Sequence, residues 1–388
     1  MKILCVFGTR PEAIKFASVI QALSNDGYFS PIICTTSQHR HMLDQILEVF
    51  NIKPDIDLNI MQPDQDLFDV TIQSLKGLSK ILKDVNPDCV LVQGDTTTAF
   101  ATALSAYYSR VKVAHIEAGL RTQCKNSPYP EELNRRAIAV FADAHFAPTD
   151  WARDNLLREN IPRDRIWVTG NTTIDALYFV ISRLNNDVLL MEKMKRRFSF
   201  LISDRKLILV TGHRRESFGA AFEVICNALK DIAVMRPDIQ IVYPVHLNPN
   251  VRKSVEKILG SIISTEDKEG IDIKRLLSNL FLIEPLDYIS FVYLLTKSFL
   301  VLTDSGGIQE EAPAIGKPVL IMRDVTERPE GIEAGVARLV GTSRKTIVSN
   351  ILKLLEESGE YNQMAKPTTV YGDGKAAERI VTHLREFT

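Results

Sequence analysis

Short apolar runs alternate with longer amphipathic segments along the whole chain. Apolar runs of this length are typical of strands buried on both faces, and amphipathic segments such as residues 67–85 are typical of helices that pack on a sheet. A regular alternation of strands and helices predicts parallel sheets covered by helices on both faces. The sequence therefore predicts an α/β fold, and its length of 388 residues favours two doubly wound domains.

Two series of predicted strands divide the chain. The first series comprises residues 3–7, 30–35, 89–93, 111–116, 145–147 and 166–168. The second series comprises residues 207–211, 240–245, 280–283, 299–303, 319–322 and 337–340. We place the domain boundary after Gly170-Asn171, so that the first domain covers residues 1–171 and the second begins at residue 172. Doubly wound sheets bind ligands beyond the carboxyl ends of their strands, so two such domains predict a ligand cleft between them.

The composition excludes several classes of function. The chain has 45% hydrophobic and 24% charged residues and a formal net charge of -1, which speaks against a nucleic-acid or membrane-surface partner. No apolar run is long enough to span a bilayer, and the apolar start is too short for a signal peptide. The five cysteines are scattered, without a CxxC pair or a Cys/His cluster. This pattern predicts no metal site and fits the cytoplasm.

A strand, turn and helix around residue 305 predict an anion site. Ser305-Gly306-Gly307 joins an apolar run to a helix predicted for residues 308–315. The first turn of a helix has unpaired N–H groups, and glycines there let a phosphate approach the backbone closely. Glu311 lies one turn into this helix, where its carboxylate could hold a sugar or ribose hydroxyl. The alternative is a capped turn that binds no ligand.

Two cations beside the first predicted helix also favour an anionic ligand. Residues 8–15 follow the first predicted strand, and Thr9 with Glu12 matches a capping box. That structural role explains Thr9 and Glu12. It does not explain Arg10 and Lys15, because a helix N-terminus repels positive charge. An anion bound nearby would account for both cations.

Three carboxylates follow strands of the first series. Asp95 and Glu117 come after the third and fourth predicted strands, and Glu131 lies at the start of the next helix. Several carboxylates gathered in one cleft suggest general acid and base catalysis, because burial and neighbouring charge separate their pKa values. The structural alternatives are that Asp95 caps a helix and that Glu131 only favours the helix dipole.

Polar residues follow strands of the second series as well. His213 stands beside two arginines after the first of these strands, where it could donate to a diphosphate or pass it a proton. His246 follows the next strand, and its alternative is a hydrogen-bonded loop histidine. Arg328 follows a later strand and could reach a base, ribose or phosphate. Its alternative is a surface ion pair with Glu327, which would contribute little stability.

Taken together, these clusters resemble those of the bacterial non-hydrolysing UDP-N-acetylglucosamine 2-epimerases. The resemblance covers nearly the whole chain and keeps the order of the motifs GTRPEAIK, QHR, GDTTT, HIEAGLRT, YPEELNR, TGHRRE, PVHLNPN, DSGGIQEEAP, RDVTERPEG and YGDGKAAERI. It implies two Rossmann-like domains of the GT-B type, the second over residues 172–370, and a C-terminal helix over about 371–388 that packs back on the first domain. It also implies a homodimer that needs no metal or nicotinamide and whose product feeds a surface glycan.

The reaction implied by the resemblance is the reversible conversion of UDP-N-acetylglucosamine to UDP-N-acetylmannosamine. The C2 proton is removed and UDP leaves C1 in an anti elimination that gives 2-acetamidoglucal. UDP then adds back while a proton returns to the opposite face of C2. By resemblance, the catalytic residues are Asp95, Glu117, Glu131 and His213. The other substrate-binding residues implied in this way are Arg10, Lys15, Leu286, Phe291, Ser305, Gly306, Gly307, Glu311 and Arg328.

Some positions depart from the family pattern. Leu286 stands where some relatives carry Gln beside the uracil. A second UDP-N-acetylglucosamine activates some family members, and the matching allosteric positions here are Gln38, His39, Arg215 and His246. However, His41 and Asp64 differ from activated relatives, and Asp64 would repel a diphosphate. Residues 260–279 are interpreted as a charged surface insertion.

Three other functions fit parts of the sequence. A hydrolysing relative would release free N-acetylmannosamine and UDP, but such relatives tend to lack the GTRPEAIK form of the first loop. A GT-B glycosyltransferase is disfavoured by the set of carboxylates. A catalytically silent nucleotide-sugar sensor would need the phosphate cradle but not three carboxylates.

Overall fold

The computed structural model describes residues 1–37, 40–62, 65–212, 219–262 and 277–387. The chain divides into two compact units. The first unit comprises Met1–Tyr178 and Tyr371–Thr388, and the second comprises Phe179–Val370. Each unit is built on one parallel β-sheet.

The sheet of the first unit has seven strands within the described residues. They are β1 (Lys2–Phe7), β2 (Ser30–Thr35), β3 (Ile56–Asp57), β4 (Cys89–Gln93), β5 (Lys112–Ile116), β6 (Ala144–Ala147) and β7 (Ile166–Val168). The helices are α1 (Arg10–Asn25), α2 (Arg40–Val49), α3 (Leu67–Val85), α4 (Thr97–Tyr108), α5 (Glu131–Phe141), α6 (Asp150–Arg158) and, at the end of the chain, α16 (Ala376–Phe387). Helix α7 (Thr172–Asn186) begins in the first unit and ends in the second. The strand order across the sheet is β3-β2-β1-β4-β5-β6-β7. The chain adds strands to one side of β1 as far as β3 and then to the other side from β4 onward, and ligands of such sheets bind at this switch point between β1 and β4.

The sheet of the second unit has six strands within the described residues, in the order β10-β9-β8-β11-β12-β13. They are β8 (Leu207–Thr211), β9 (Gln240–Pro244), β10 (Leu280–Ile283), β11 (Leu300–Thr303), β12 (Val319–Ile321) and β13 (Ala337–Leu339). The helices from the unit boundary onward are α8 (Val188–Arg197), α9 (Ala220–Met235), α10 (Pro249–Leu259), α11 (Tyr288–Lys297), α12 (Gly306–Ala314), α13 (Glu330–Glu333), α14 (Arg344–Glu356) and α15 (Ser358–Met364). In this sheet the switch point lies between β8 and β11, and the turn Ser305-Gly306-Gly307 follows β11.

The central strands of both sheets are buried along almost their whole length. Residues 3–7 of β1 and residues 300–302 of β11 have no exposed surface. Helices cover both faces of a parallel sheet, so every side chain of a central strand packs into a core. This burial explains why the strands appear in the sequence as continuous apolar runs.

The strand predictions are confirmed, with one omission. All twelve predicted strands are present, with ends that differ by no more than one residue. The sequence analysis missed β3, whose two residues are too few to form a recognisable run. The prediction of a helix from residue 371 is wrong for its first five residues. Gly372 and Gly374 have φ angles of +140° and +81°, and α16 begins only at Ala376.

The described part of the chain contains no helix long and apolar enough to cross a membrane. All five cysteines are free thiols. Cys5, Cys34 and Cys89 lie in the buried strands β1, β2 and β4. Burial raises the pKa of Cys34 and of Cys89 to about 12, so both stay protonated at neutral pH and serve as core residues.

Candidate active site

Glu117 follows β5 at the carboxyl edge of the first sheet and has an unusual backbone conformation. Its φ is +63°, in the left-handed region that residues other than glycine rarely adopt. Gly94, which follows the neighbouring strand β4, has a φ of +69°. A Cβ atom on Gly94 would lie 3.3 Å from Oε2 of Glu117, so the two turns approach each other closely. Such strained positions often occur at functional sites, where the surrounding structure holds them.

Three side chains hold the buried carboxylate of Glu117. The ammonium of Lys15, on α1, lies 2.5 Å from Oε1 and 2.6 Å from Oε2. The amide of Gln93 donates to Oε2 at 2.6 Å, and the amide of Asn171 donates to Oε1 at 2.9 Å. Within the described residues, these contacts to the carboxylate come from α1, the end of β4 and the start of α7.

Asp95 lies in the turn between β4 and α4, directly after Gly94, and pairs with an arginine. Nε of Arg135, on α5, donates to Oδ2 of Asp95 at 2.8 Å, and the amide of Asn134 donates to its backbone carbonyl at 2.9 Å. The alternative that Asp95 caps a helix is wrong. Thr96 is the N-cap of α4, and its hydroxyl accepts the N–H of Ala99 at 3.0 Å. The carboxylate of Asp95 is thus available for a role other than capping.

Glu131 and Glu132 begin α5 but differ in their surroundings. Glu132 is fully buried, accepts the N–H of Thr122 at 3.0 Å and pairs with Arg135 at 3.2 Å. Glu131 is half-buried at the first position of the helix. The structure thus gives Glu132 a structural role, and acid or base chemistry at Glu131 stays a prediction.

Glu12 ties the first loop of the unit to the loop after β4. Its Oε2 accepts the N–H groups of Gly8 at 3.0 Å and Thr9 at 2.9 Å, and its Oε1 accepts the hydroxyl of Thr96 at 2.6 Å. Burial raises the pKa of Glu12, and these hydrogen bonds oppose that rise. The structural role predicted for Glu12 is confirmed. Arg10 is the first residue of α1 beside this loop.

His115, the residue of β5 two positions before Glu117, supports the Gly94 turn. Its Nε2 lies 2.7 Å from the carbonyl oxygen of Gly94, and the side chain is fully buried. Burial lowers the pKa of His115 to about 4, so the ring is neutral at neutral pH and its Nε2–H donates. This histidine orients the turn that carries Asp95.

In the second unit, the Ser305-Gly306-Gly307 turn joins β11 to α12. The N–H of Ser305 donates to the hydroxyl of Thr303 at 2.9 Å. A Cβ atom on Gly306 would lie 2.7 Å from Nη1 of Arg328, whereas a Cβ on Gly307 would meet nothing within 4 Å. The backbone at Gly307 is therefore open at the start of a helix, where an anion can approach N–H groups.

Arg328 packs beneath this turn in a network of buried charges. It pairs with Glu310 and with Glu327, and Glu327 also pairs with Arg323 at 2.9 Å. The alternative of a surface ion pair between Arg328 and Glu327 is wrong, because both side chains are almost fully buried. These buried ion pairs hold Arg328 beneath the turn.

The remaining predicted residues of the second unit lie around α11 and after β9. Glu311 is buried and accepts the hydroxyl of Tyr288 at 2.6 Å. Leu286 is buried just before α11, and Phe291 lies within this helix, partly exposed. The Nδ1 atom of His246 accepts the N–H of Asn248 at 3.1 Å, which is the local contact expected of a loop histidine.

Several predicted residues lie outside the described part of the chain. They are His213, Arg215, Gln38, His39 and Asp64, and most of the 260–279 segment falls there as well. The side chain of His41 is also outside the described residues. Among the residues that are described, no group of three or more His, Cys, Asp and Glu side chains is placed to hold a metal ion.

The structure brings Lys15 and Glu117 into direct contact and places Asp95 in the adjoining turn. It also identifies partners that the sequence analysis missed: Gln93, Asn171, Arg135 and Glu310. Gln93 is the last residue of the predicted strand 89–93, and Arg135 and Glu310 belong to the motifs YPEELNR and DSGGIQEEAP. Asn171 had been interpreted as a domain boundary and a hinge. Gln93 ends β4 and Glu117 follows the neighbouring strand β5, so their shared position at one sheet edge could have predicted the contact.

Known proteins resemble this chain over its whole length. The family model described as UDP-N-acetylglucosamine 2-epimerase matches residues 21–385. The chain belongs to the UDP-N-acetylglucosamine 2-epimerase family. A UDP-N-acetylglucosamine 2-epimerase of Salmonella typhimurium is 52% identical over 387 residues, which cover 100% of this chain and 99% of the relative.

Solved structures of the UDP-N-acetylglucosamine 2-epimerase family agree with the fold. The crystal structure of the Neisseria meningitidis enzyme bound to UDP-GlcNAc has a TM-score of 0.93 and 46% identity, and the match covers 100% of both chains. The Methanocaldococcus jannaschii enzyme in complex with UDP-GlcNAc and UDP has a TM-score of 0.82 and 31% identity, again over 100% of both chains. The predicted fold class, with two Rossmann-like parallel-sheet domains of the GT-B type, is confirmed.

Proposed function

We propose that this protein interconverts UDP-N-acetylglucosamine and UDP-N-acetylmannosamine by the non-hydrolysing route. Membership of the epimerase family supports the reaction, and the ligands named for the Neisseria and Methanocaldococcus relatives support the substrate. The GTRPEAIK form of the first loop favours the non-hydrolysing over the hydrolysing route. The observation that carries the proposal is the buried carboxylate of Glu117, held by Lys15 at the carboxyl edge of the first sheet.

The second unit is proposed to bind the UDP moiety. The diphosphate would approach the open backbone at Gly307, where the N-terminus of α12 favours negative charge. The buried ion pairs of Arg328 would hold Gly306 in place behind the phosphate. Glu311 and its partner Tyr288 would face the ribose, with Leu286 and Phe291 near the uracil.

The first unit is proposed to supply the acid and base groups. In the elimination, a carboxylate takes the C2 proton, the electron pair of the C2–H bond forms the C1=C2 double bond, and the C1–O bond breaks with its electrons leaving on UDP. In the addition, UDP attacks C1 while a second acid returns a proton to the other face of C2. Asp95, Glu117 and Glu131 are the groups assigned to these transfers, and His213 is assigned to the departing phosphate. The sequence of steps is redox-neutral, so it requires no electron acceptor.

NMR of the purified protein with UDP-N-acetylglucosamine in deuterated water tests the proposal. The expected result is a mixture of both UDP-sugars with deuterium at C2, because the proton removed from C2 exchanges with solvent. Free N-acetylmannosamine with an equal amount of UDP would instead establish the hydrolysing reaction. No deuterium at C2 and no free sugar would overturn the assignment as an epimerase.

A homodimer is the second part of the proposal. Large apolar side chains are exposed on three neighbouring helices of the first unit: Phe68 on α3, Tyr108 on α4 and Val140 on α5. Their exposed fractions are 77%, 72% and 78%. Tyr108 and Val140 lie at the C-terminal ends of the packed helices α4 and α5, and a second copy of the chain would cover such exposed apolar side chains.

A further inference from the structure

Asn171 connects three separate parts of the first unit. Its backbone N–H donates to the carbonyl of Tyr371 at 2.7 Å, at the point where the chain returns to this unit. Its side-chain Oδ1 accepts the N–H of Thr173 at 3.1 Å, in the first turn of α7. Its side-chain Nδ2 donates to Oε1 of Glu117 at 2.9 Å. The side chain is almost fully buried, so these contacts determine its orientation.

The neighbourhood of Asn171 leaves little room for the backbone to move. A Cβ atom on Gly170 would lie 3.2 Å from Cα of Gly372, and a Cβ on Gly372 would lie 3.2 Å from the backbone nitrogen of Asn171. Both glycines have positive φ angles, +90° and +140°. The segment after β7, which contains Asn171, therefore packs closely against the segment before α16. Asn171 lies between that second segment and Glu117.

The contacts of Asn171 use both ends of its amide. The oxygen caps α7, as an N-terminal Asn often does, and the nitrogen donates to a carboxylate. Asp at this position would cap the helix but would place a second negative charge against Glu117. Ser would also cap the helix, but it is too short to donate to the carboxylate. Asparagine is the residue that meets both requirements.

We propose that Asn171 is a positioning residue, which fixes the Glu117 carboxylate in its reactive orientation and favours its ionised form. This inference rests on the proposed role of Glu117 as an acid or base group. Asn171 acts through Glu117 and has no assigned contact with the substrate. Among the described residues, Lys15 of α1 pairs with the carboxylate, Gln93 of β4 donates to it as a neutral amide, and His115 of β5 is neutral above about pH 4.

The pKa of the Glu117 carboxyl distinguishes this role from a purely structural one. In the full-length protein labelled with ¹³C at the glutamate carboxyls, Glu117 is assigned by the loss of its signal in E117Q. The signal is then titrated in the parent, in N171S and in N171D. We expect the pKa to rise in N171S, because a donor to the ionised form is lost. A larger rise, by about one unit or more, is expected in N171D, because a neighbouring negative charge opposes ionisation.

The rate of deuterium incorporation at C2, measured against pH, provides the second measurement. We expect kcat of N171S to fall about tenfold, with KM within about twofold of the parent. We also expect the acidic limb of the plot of rate against pH to lie at higher pH in N171S than in the parent, and at higher pH still in N171D. N279D is the matched control. Asn279 is a buried amide of the second unit that donates to the carbonyls of Ala233 and Arg236, at 3.1 and 3.0 Å. Its replacement should lower thermal stability and leave the Glu117 titration unchanged.

The outcomes separate this inference from the proposed function. If the parent catalyses exchange but the Glu117 titration is the same in both Asn171 variants, the positioning role is wrong and the epimerase proposal stands. If the parent is inactive but the titration moves as expected, Asn171 controls the carboxyl group and the proposed reaction is wrong. N171S retains the helix cap, so it provides the titration if N171D does not fold.

Discussion

Lys15 and Glu117 form a buried ion pair between two residues 102 positions apart in the sequence. The ammonium lies within 2.6 Å of both carboxylate oxygens, and the side chains are only 12% and 5% exposed. Lys15 was predicted from its position near a helix start, where a cation is unfavourable without an anionic partner. The structure shows that Glu117 is such a partner. The lysine therefore orients the carboxylate of Glu117.

Replacing Glu117 with Gln is expected to lower C2 deuterium exchange at least about 100-fold, because proton transfer by a placed carboxylate contributes that much or more. Binding of UDP, measured by calorimetry, should stay within about threefold of the parent. The control is E192Q, which removes an exposed glutamate paired with Lys195 on α8. Full activity of E117Q would remove Glu117 from the set of acid and base residues.

Replacing Lys15 with Met is expected to lower the free energy of unfolding of the first unit by about 3 kcal/mol, because it leaves a buried carboxylate without its cation. Both tryptophans, Trp151 and Trp167, lie in this unit, so urea unfolding followed by tryptophan fluorescence reports on it. In the double variant with E117Q, the loss should be smaller than the sum of the two single losses. Additive losses would mean that the ion pair contributes no coupling energy.

Replacing Gly306 with Ala is expected to destabilise the second unit by about 1–3 kcal/mol, measured by calorimetric unfolding. The new methyl group would overlap Nη1 of Arg328, which is held by Glu310 and Glu327 and cannot move away freely. G307A is the matched control, because a Cβ at Gly307 meets nothing within 4 Å. Equal stability of the two variants would show that Arg328 yields to the added methyl group.

Stability of the first unit should depend on pH through Asp175. This carboxylate accepts the N–H groups of Ala376 and Ala377 at the start of α16, and burial raises its pKa to about 6. The folded protein thus binds this proton more tightly than the unfolded chain. The contribution to stability is therefore largest below about pH 4 and declines by about 3 kcal/mol as the pH rises through about 6.

The Asp175→Asn variant tests this dependence. We expect the parent to lose stability relative to D175N as the pH is raised from 4 to 7, in urea unfolding followed by tryptophan fluorescence. Trp167 stacks on His383 of α16, with 5.6 Å between the ring centroids, so its emission reports on the docking of that helix. D154N is the control for losing a negative charge on the partly exposed surface of α6. Parallel pH profiles of D175N and parent would contradict the prediction.

Replacing Val140 with Glu is expected to convert the proposed homodimer to a monomer, because it places a charge beside the exposed apolar side chains at the C-terminal ends of α4 and α5. Light scattering after size-exclusion chromatography measures the mass. V234E is the matched control, since Val234 is 61% exposed on α9 of the second unit. A parent protein that is monomeric at micromolar concentration, or a V140E variant that remains dimeric, would contradict this interface.

Much of the fold could be predicted because its signals are local. The apolar runs of β1 and β11 are visible in the sequence, since both faces of these strands are buried. The two-residue strand β3 could not be predicted, because it is defined by its pairing with β2 rather than by its own composition. Likewise, Asp95 preceded a helix and resembled a cap, but the local backbone selected Thr96 for that role.

The sequence by itself determined the α/β class, the positions of the strands and the motifs of the epimerase family, because periodicity and residue order are properties of the chain. Only the tertiary structure decided which side chains meet. Strand order places Gln93 beside Glu117, and the return of the chain at Tyr371 places Asn171 against the same carboxylate. Burial decided that Arg328 forms internal rather than surface ion pairs. These partners are far apart in the sequence, and they come into contact only when the sheet has formed and the chain has returned to the first unit.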